Sequence, residues 1–434
     1  MKTNILWFRK NLRTDDNPAL LRASESSGNL ICVFIYDEVI HYEQHGVQSL
    51  GPYRAKFLWD SLIELRESLQ EMGSDLIILK GDAAKVLETL IDETGARTVI
   101  TQHECGYCEQ LQETAVKKLC TLEIIGGTTL LDINALPSEP ASLPNSYVLF
   151  RRIIESNWDD QPWAVPACCK RPEKLPPQPE NLNIQSLKIN PSPDCREASP
   201  KAVMAFRGGE KAAHERINAF MSSENGLENY RETRNHLLGS NYSSKLSPWL
   251  ANGCLSARQV YHVIRKFEKE HLQNESTRWL ICQLLWRDYY HFAAYKHGSD
   301  LFLGGGMRGQ SCSKRKISIS QSESIKKWCY GKTGQRFVDA NMTELLETGY
   351  ISSRGRQSVA VYLVRDLGLD WRLGASWFEH YLVDFEPCNN YGNWNFQAGI
   401  GHDIKKSNSF KIADQAHKYD PEGLYQHYWL GSPS

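Results

Sequence analysis

Short runs of β-branched and other apolar residues alternate with amphipathic stretches over roughly the first 125 residues. The runs are Asn4 to Phe8, Leu30 to Tyr36, Asp75 to Lys80, Thr98 to Gln102 and Thr121 to Ile125. Between them apolar positions recur at helical spacing: from Tyr53 to Met72, closed by Gly73, and from Ala83 to Thr94, with Asp82 as N-cap and Gly95 as stop. Strands this short and apolar leave no face for water, so they predict a parallel sheet covered by helices on both sides. The expectation for residues 1–135 is a doubly wound α/β domain.

The alternation ends at Pro137. Twelve of the 18 prolines lie between Pro137 and Pro200, which predicts a surface connector over 136–200 with little regular structure. From about Lys201 apolar positions fall three and four residues apart, as in Trp279, Cys282, Leu285, Trp286, Tyr289 and Phe292. Strand signals nearly vanish there, so residues 201–434 are expected to form an all-α domain.

Composition narrows the function classes. A chain of 434 residues has room for two or three domains, and its 41% hydrophobic and 23% charged content excludes disorder, collagen and coiled coil. With 50 basic and 51 acidic side chains, contact with nucleic acid has to be a local patch. No apolar run approaches the roughly 18 residues of a membrane helix, and Met1-Lys2-Thr3-Asn4 leads into a strand instead of a signal core. The expectation is a cytoplasmic monomer without a membrane segment or retained transit peptide. Twelve cysteines show no disulfide framework, Cys105 and Cys108 read as an incidental pair, and no metal site is assigned. After the first strand, Arg9-Lys10-Asn11-Leu12-Arg13 stands where a dinucleotide-binding turn would need glycines, so a dinucleotide is not bound there.

Eight of the 12 tryptophans lie at or beyond Trp249, so the helical part either packs a large core or handles a planar ligand. Three polar segments favour a shared polar ligand. Tyr242 to Leu250 holds three serines and Lys245 ahead of an apolar run, an anion cradle or an ordinary serine-rich cap. The others are Ser352 to Gln357, ahead of a helix expected from Ser358 to Leu367, and the amide-rich Asp384 to Trp394.

Seven segments together identify a family. Glu232–Asn235, Ser243–Trp249, Leu284–Tyr289, Val338–Met342, Arg354–Gln357, Leu369–Gly374 and Tyr391–Gly401 closely resemble the photolyase/cryptochrome family, in its cryptochrome-DASH branch. Trp7–Arg13 and Asp16–Leu20 resemble its first strand and loop, with Asn11 where Asp is usual. The resemblance is dense from about Tyr230 to Gly401 and thinner but collinear before that.

The resemblance implies a U-shaped FAD held by Tyr230, Ser243, Ser244, Lys245, Leu246, Ser247, Gln283, Arg287, Arg356, Asp384, Phe385, Glu386 and Asn390. Arg356 and Asp384 would pair beside the flavin, and Asn390 would meet its N5 and tune which redox state accumulates. Trp394, Trp371 and Trp328 match the chain that passes electrons from surface to flavin. Arg234, Trp286, Arg287, Tyr290, Ser353, Arg354, Phe396 and Gln415 match DNA-facing positions, and single-stranded DNA is the partner implied. Glu104 falls near the residue that contacts 5,10-methenyltetrahydrofolate in relatives, leaving a folate antenna and an empty site both open.

Departures cluster on the substrate side. Gln283 replaces the usual Glu, and an amide holds a lesion carbonyl by hydrogen bonding without trading a proton. Trp286 remains to stack on an extruded base, with Phe396 as the opposite wall. Gln335-Arg336, Ser353 and Phe410-Lys411 also differ from the pattern, as does Glu386, longer than the usual Asp and expected to refit near the flavin, and relatives continue through a further helical segment beyond the position of Ser434. Three readings follow: a flavoprotein that repairs cyclobutane pyrimidine dimers by light-driven electron transfer, a non-enzymatic blue-light photoreceptor, and an idle flavin-binding relative that no longer responds to light.

Overall fold

The computed structural model describes residues 2–432 apart from 26–27, 39–41, 157, 159–163, 181, 193, 225, 310–318, 320–322 and 404–409. Five strands form one sheet: β1 Thr3–Phe8, β2 Asn29–Asp37, β3 Leu76–Gly81, β4 Thr98–Gln102 and β5 Thr121–Ile125. Their order is β3-β2-β1-β4-β5 and every pairing is parallel, with Ile5 opposite Ile31 and Val99. All six residues of β1 are buried, which the unbroken apolar run requires. Helices α1 (Pro52–Glu71) and α2 (Ala83–Thr94) help cover the sheet. Asp82 caps α2 by accepting from the Lys85 N–H, and Gly95 ends it with φ of +66°. The doubly wound domain is as expected.

The connector is largely irregular but contains α3, Tyr147–Glu155, which the proline content concealed. Ser146 caps it, and Tyr147, Phe150 and Ile154 turn inward. Part of the rest lies along the first domain, where the Leu187 N–H donates to Ile78 O and the Leu175 N–H to Met72 O.

Among the described residues no strand follows Ile125. The helices that build the site are α4 (Ser247–Asn252), α5 (Glu275–His297), α6 (Ser353–Val361), α7 (Trp371–Tyr381) and α8 (Pro387–Gln397). Helix α6 begins five residues before the expected Ser358, because Ser352 Oγ caps the Gly355 N–H at 3.0 Å. A π-turn over Tyr362–Asp366 replaces its expected end. No helix among the described residues is long and apolar enough to cross a membrane.

The Arg9 to Arg13 run has a structural use. Arg9 pairs with Glu113 and Lys10 with Glu109, both at 2.7 Å, while Arg13 donates to Asp16 O and reaches across to Gly253 O in the helical domain. At Gly253 (φ +71°) any Cβ would fall 1.9 Å from Lys10 O, so only glycine lets the two chain segments meet.

Candidate functional site

A cavity of about 320 Å³ opens in the helical domain, and the three polar segments converge on it. Tyr230, Ser243, Ser244, Lys245, Leu246, Ser247, Gln283, Arg287, Arg356, Asp384, Phe385, Glu386 and Asn390 all line it. Leu250, Val260, Leu280, Leu284, Phe378 and Leu382 supply apolar walls between the polar ends. Tyr350, Phe378, Asn389 and Asn393 also line it and were not singled out from sequence. Phe378 was detectable in principle, lying on α7 seven residues after Trp371, two helical turns on the same face.

Each polar lining group has a distinct setting. Arg356 Nη2 donates to Asp384 Oδ2 at 2.8 Å and is braced by Ile351 O. Asp384 Oδ1 is buried without a hydrogen-bond partner, an acceptor that a donor in the cavity would satisfy. Asn390 Nδ2 donates to Ala375 O at 3.1 Å, which orients its amide. Glu386 caps α8, accepting from the Cys388 and Asn389 N–H groups, and lies 3.3 Å from His291 Nε2. Burial alone would raise Glu386, but His291 and Lys10 outweigh it and hold the carboxyl down at about 2. The longer side chain is thus accommodated by turning onto its own helix terminus.

Lys245 is 2% exposed and its backbone sits at φ +51°, a left-handed conformation that costs a non-glycine residue roughly 1–2 kcal/mol. Its ammonium lies 3.2 Å over the Tyr242 ring and donates to Ser240 O. Helix α4 has only six residues, so the serine hydroxyls and Lys245 carry anion affinity more than a helix dipole does. Burial, helped by Arg216, lowers Lys245 from its ordinary 10.5 to about 6. Its positive form therefore weakens the ligand-free fold most below about pH 6, and the penalty fades as pH rises toward 10.5. An anion beside it reverses the shift. At pH 8, binding of FAD should accordingly take up close to one proton at this residue, and at pH 5 almost none. Calorimetry in buffers of different ionisation enthalpy checks this: Lys245→Met should lose the uptake, and buffer-independent heats at pH 8 would contradict it.

The tryptophans fall in two contact groups. Trp394 lines the cavity and meets Phe378 at 5.1 Å and Trp328 at 6.3 Å between ring centroids. A Cβ on Gly374 would come 2.2 Å from the Trp394 ring, so α7 and α8 approach closely there. Trp371, one turn before Gly374 on α7, is edge-on to Tyr391 at 6.1 Å. Trp328 is 0% exposed and donates to Val359 O, while Trp371 is 5% exposed.

The DNA-facing set separates. Arg234, Arg287 and Ser353 line the cavity, with Arg234 resting over Tyr230 and Trp279. Arg287 donates to Thr128 O at 2.7 Å. Arg354 stacks over Tyr419 and bonds Gln357, Asn235 and Gln415, tying two predicted contacts together. Phe396 is half-buried outside the cavity lining. Tyr290 is 6% exposed and packed where a Cβ on Gly392 would come 2.3 Å from its ring. One face of Trp286 is covered by Tyr147 from α3, stacked at 3.6 Å and 17°.

Glu104 lies apart, in a second cavity of about 360 Å³ between the sheet domain and the helices. Burial raises it to about 7, offset in part by Lys10 and Arg9, and its Oε1 has no hydrogen-bond partner.

Residues 4–169 match the family model described as DNA photolyase, and 279–432 match the FAD binding domain of DNA photolyase. The chain is 38% identical to a cryptochrome DASH of Synechocystis, covering 99% of this chain and 87% of that protein. It is 39% identical to the chloroplastic/mitochondrial cryptochrome DASH of Arabidopsis thaliana, covering 98% and 75%. The crystal structure of the Synechocystis cryptochrome superposes with a TM-score of 0.92 at 36% identity, covering 99% of this chain and 89% of that one. A bacterial class III photolyase from Agrobacterium tumefaciens gives 0.82 at 28%, covering 99% and 86%.

Proposed function

Because the chain belongs to the cryptochrome DASH group of the DNA photolyase family, an FAD flavoprotein of photolyase-like function, we propose that it binds single-stranded DNA and splits cyclobutane pyrimidine dimers under blue light. The observation that carries this reading is a shared cavity: Trp394, Asn390, Gln283 and Arg234 all line it, so electron entry, cofactor contact and lesion contact adjoin. FAD fits the residues, since the cavity pairs apolar walls with an orphan acceptor at Asp384 and a hydroxyl-rich end at Lys245, whose protonated form an anion would favour. Bound there, FAD supplies light absorption and one-electron chemistry. The chain's part is placement and charge: Arg356 and Asp384 hold a buried ion pair at the cavity wall, Asn390 is fixed through Ala375 O, and Gln283 presents an amide.

Arg234 is the cavity-lining cation we assign to a DNA phosphate. Arg234→Ala should weaken binding to a single-stranded oligonucleotide and flatten the slope of log affinity against log salt by about 0.7. Titrations at several salt concentrations measure it, and an unchanged slope would remove Arg234 from the interface. Within this proposal the second cavity takes an antenna pigment of the methenyltetrahydrofolate kind, supported by the buried, partly unsatisfied Glu104 carboxyl. The photoreceptor reading stays as an alternative because Gln283 is no proton donor and Tyr147 already occupies one face of Trp286.

A further inference from the structure

Trp371 and Trp328 are both buried, so an indole oxidised at Trp371 is enclosed by protein. The ring set edge-on to Trp371 is Tyr391, with centroids 6.1 Å apart and planes at 81°. Tyr391 is 2% exposed, and its hydroxyl donates to Glu379 Oε2 at 2.9 Å, with Gln44 Oε1 at 3.2 Å. Phe302, 4.7 Å from the Tyr391 ring, and Phe378, against Trp394, have no proton to give up and resist oxidation.

We propose that Tyr391 refills Trp371 with an electron while passing its phenolic proton to Glu379. The inference rests on the reading that Trp371 carries electrons toward the flavin. The oxidant is the Trp371 radical cation, which the light-driven one-electron chemistry of bound FAD would supply. It gains one electron; Tyr391 loses that electron and its O–H proton; the Glu379 carboxylate gains the proton. A buried cation and a buried anion become a neutral indole, a neutral tyrosyl radical and a neutral acid. Removing two charges from a low-dielectric interior drives the step, and without a base the oxidised phenol would itself be a buried cation. Gln44 accepts the hydrogen bond but does not take a proton at neutral pH, which singles out Glu379.

Charges face Glu379 from every side. Burial raises it to about 7; Arg54 on α1, the Tyr391 hydroxyl on α8 and Lys10 after β1 pull it down, while Glu109 pushes it up. Lys10 and Glu109 are themselves paired at 2.7 Å, which leaves Arg54 as the main neighbouring charge. Glu379 is thus an increasingly available base as pH rises through about 7.

Time-resolved EPR and absorption on FAD-loaded protein after a blue flash test the step. Wild type should show a tyrosyl radical that grows as the tryptophan signal decays, more slowly in D2O and in higher yield above pH 7. Tyr391→Phe should lose the tyrosyl signal and lengthen the tryptophan radical's life at least about tenfold. Glu379→Gln should do the same with Tyr391 still present, and Glu379→Asp should recover part of the transfer. Both key changes are close in shape to the native side chains, and dark FAD content reports folding. A long-lived tryptophan radical in wild type without a tyrosyl, or a tyrosyl unchanged in Tyr391→Phe, overturns the inference and leaves the tryptophan reading standing. Absence of any tryptophan radical overturns both.

Discussion

Trp371→Phe is expected to slow light-driven reduction of bound FAD at least about tenfold, equivalent to about 1.4 kcal/mol of barrier, while leaving FAD bound. Trp371 does not line the cofactor cavity, so its removal touches no lining contact. It contributes one hydrogen bond, from Nε1 to Gly304 O at 3.3 Å, and begins α7 behind the Asp370 cap. A phenyl ring retains most of that packing but is far harder to oxidise than indole. Photoreduction followed by the loss of flavin absorbance, alongside FAD content, makes the measurement. Wild-type kinetics in the variant would return Trp371 to an ordinary core residue.

The second large effect is expected at Gln283. This residue lines the cavity from α5, one turn before Trp286 and Arg287. Its amide supports a developing oxyanion by donating a hydrogen bond, whereas a carboxylic acid also transfers a proton, a contribution of about 10²–10⁴-fold where general acid catalysis operates. Gln283→Glu should raise the rate of dimer splitting by at least about tenfold with little change in DNA affinity. Single-turnover repair at saturating DNA separates the two quantities. Equal rates in both proteins would show that the amide suffices and that proton transfer at this position is not limiting.

Much of the fold was legible because its signals are local. The pattern placed all five sheet strands within one residue of their observed ends, and it bounded α2 at Ala83 and Thr94 as observed. Helix α6 was misplaced for a reason of tertiary origin. Gly355 disfavours a helix locally, yet a Cβ there would fall 2.0 Å from Asn341 Oδ1, so packing demands glycine inside the helix. Helix α3 was missed because flanking prolines dominated its window.

The site divides in the same way. The cofactor-binding residues from Tyr230 to Asn390 grouped by resemblance do converge on one cavity, since they lie on short segments that the helices deliver together. What no single segment reveals is burial and partnership. The full burial of Trp328, the Tyr147 ring over Trp286 and the Tyr391–Glu379 bond each join residues from separate elements. Glu386 shows the limit within one segment: its extra methylene suggested a refit at the cofactor, and the side chain instead caps the helix that it begins.

The most direct test of the central claim is light-dependent repair of a single-stranded oligonucleotide carrying one cyclobutane pyrimidine dimer, using FAD-loaded, fully reduced protein. The account predicts that wild type restores the intact pyrimidines under blue light and not in darkness. DNA binding with no light-dependent repair, by wild type and Gln283→Glu alike, would contradict it and move the account to the non-enzymatic readings.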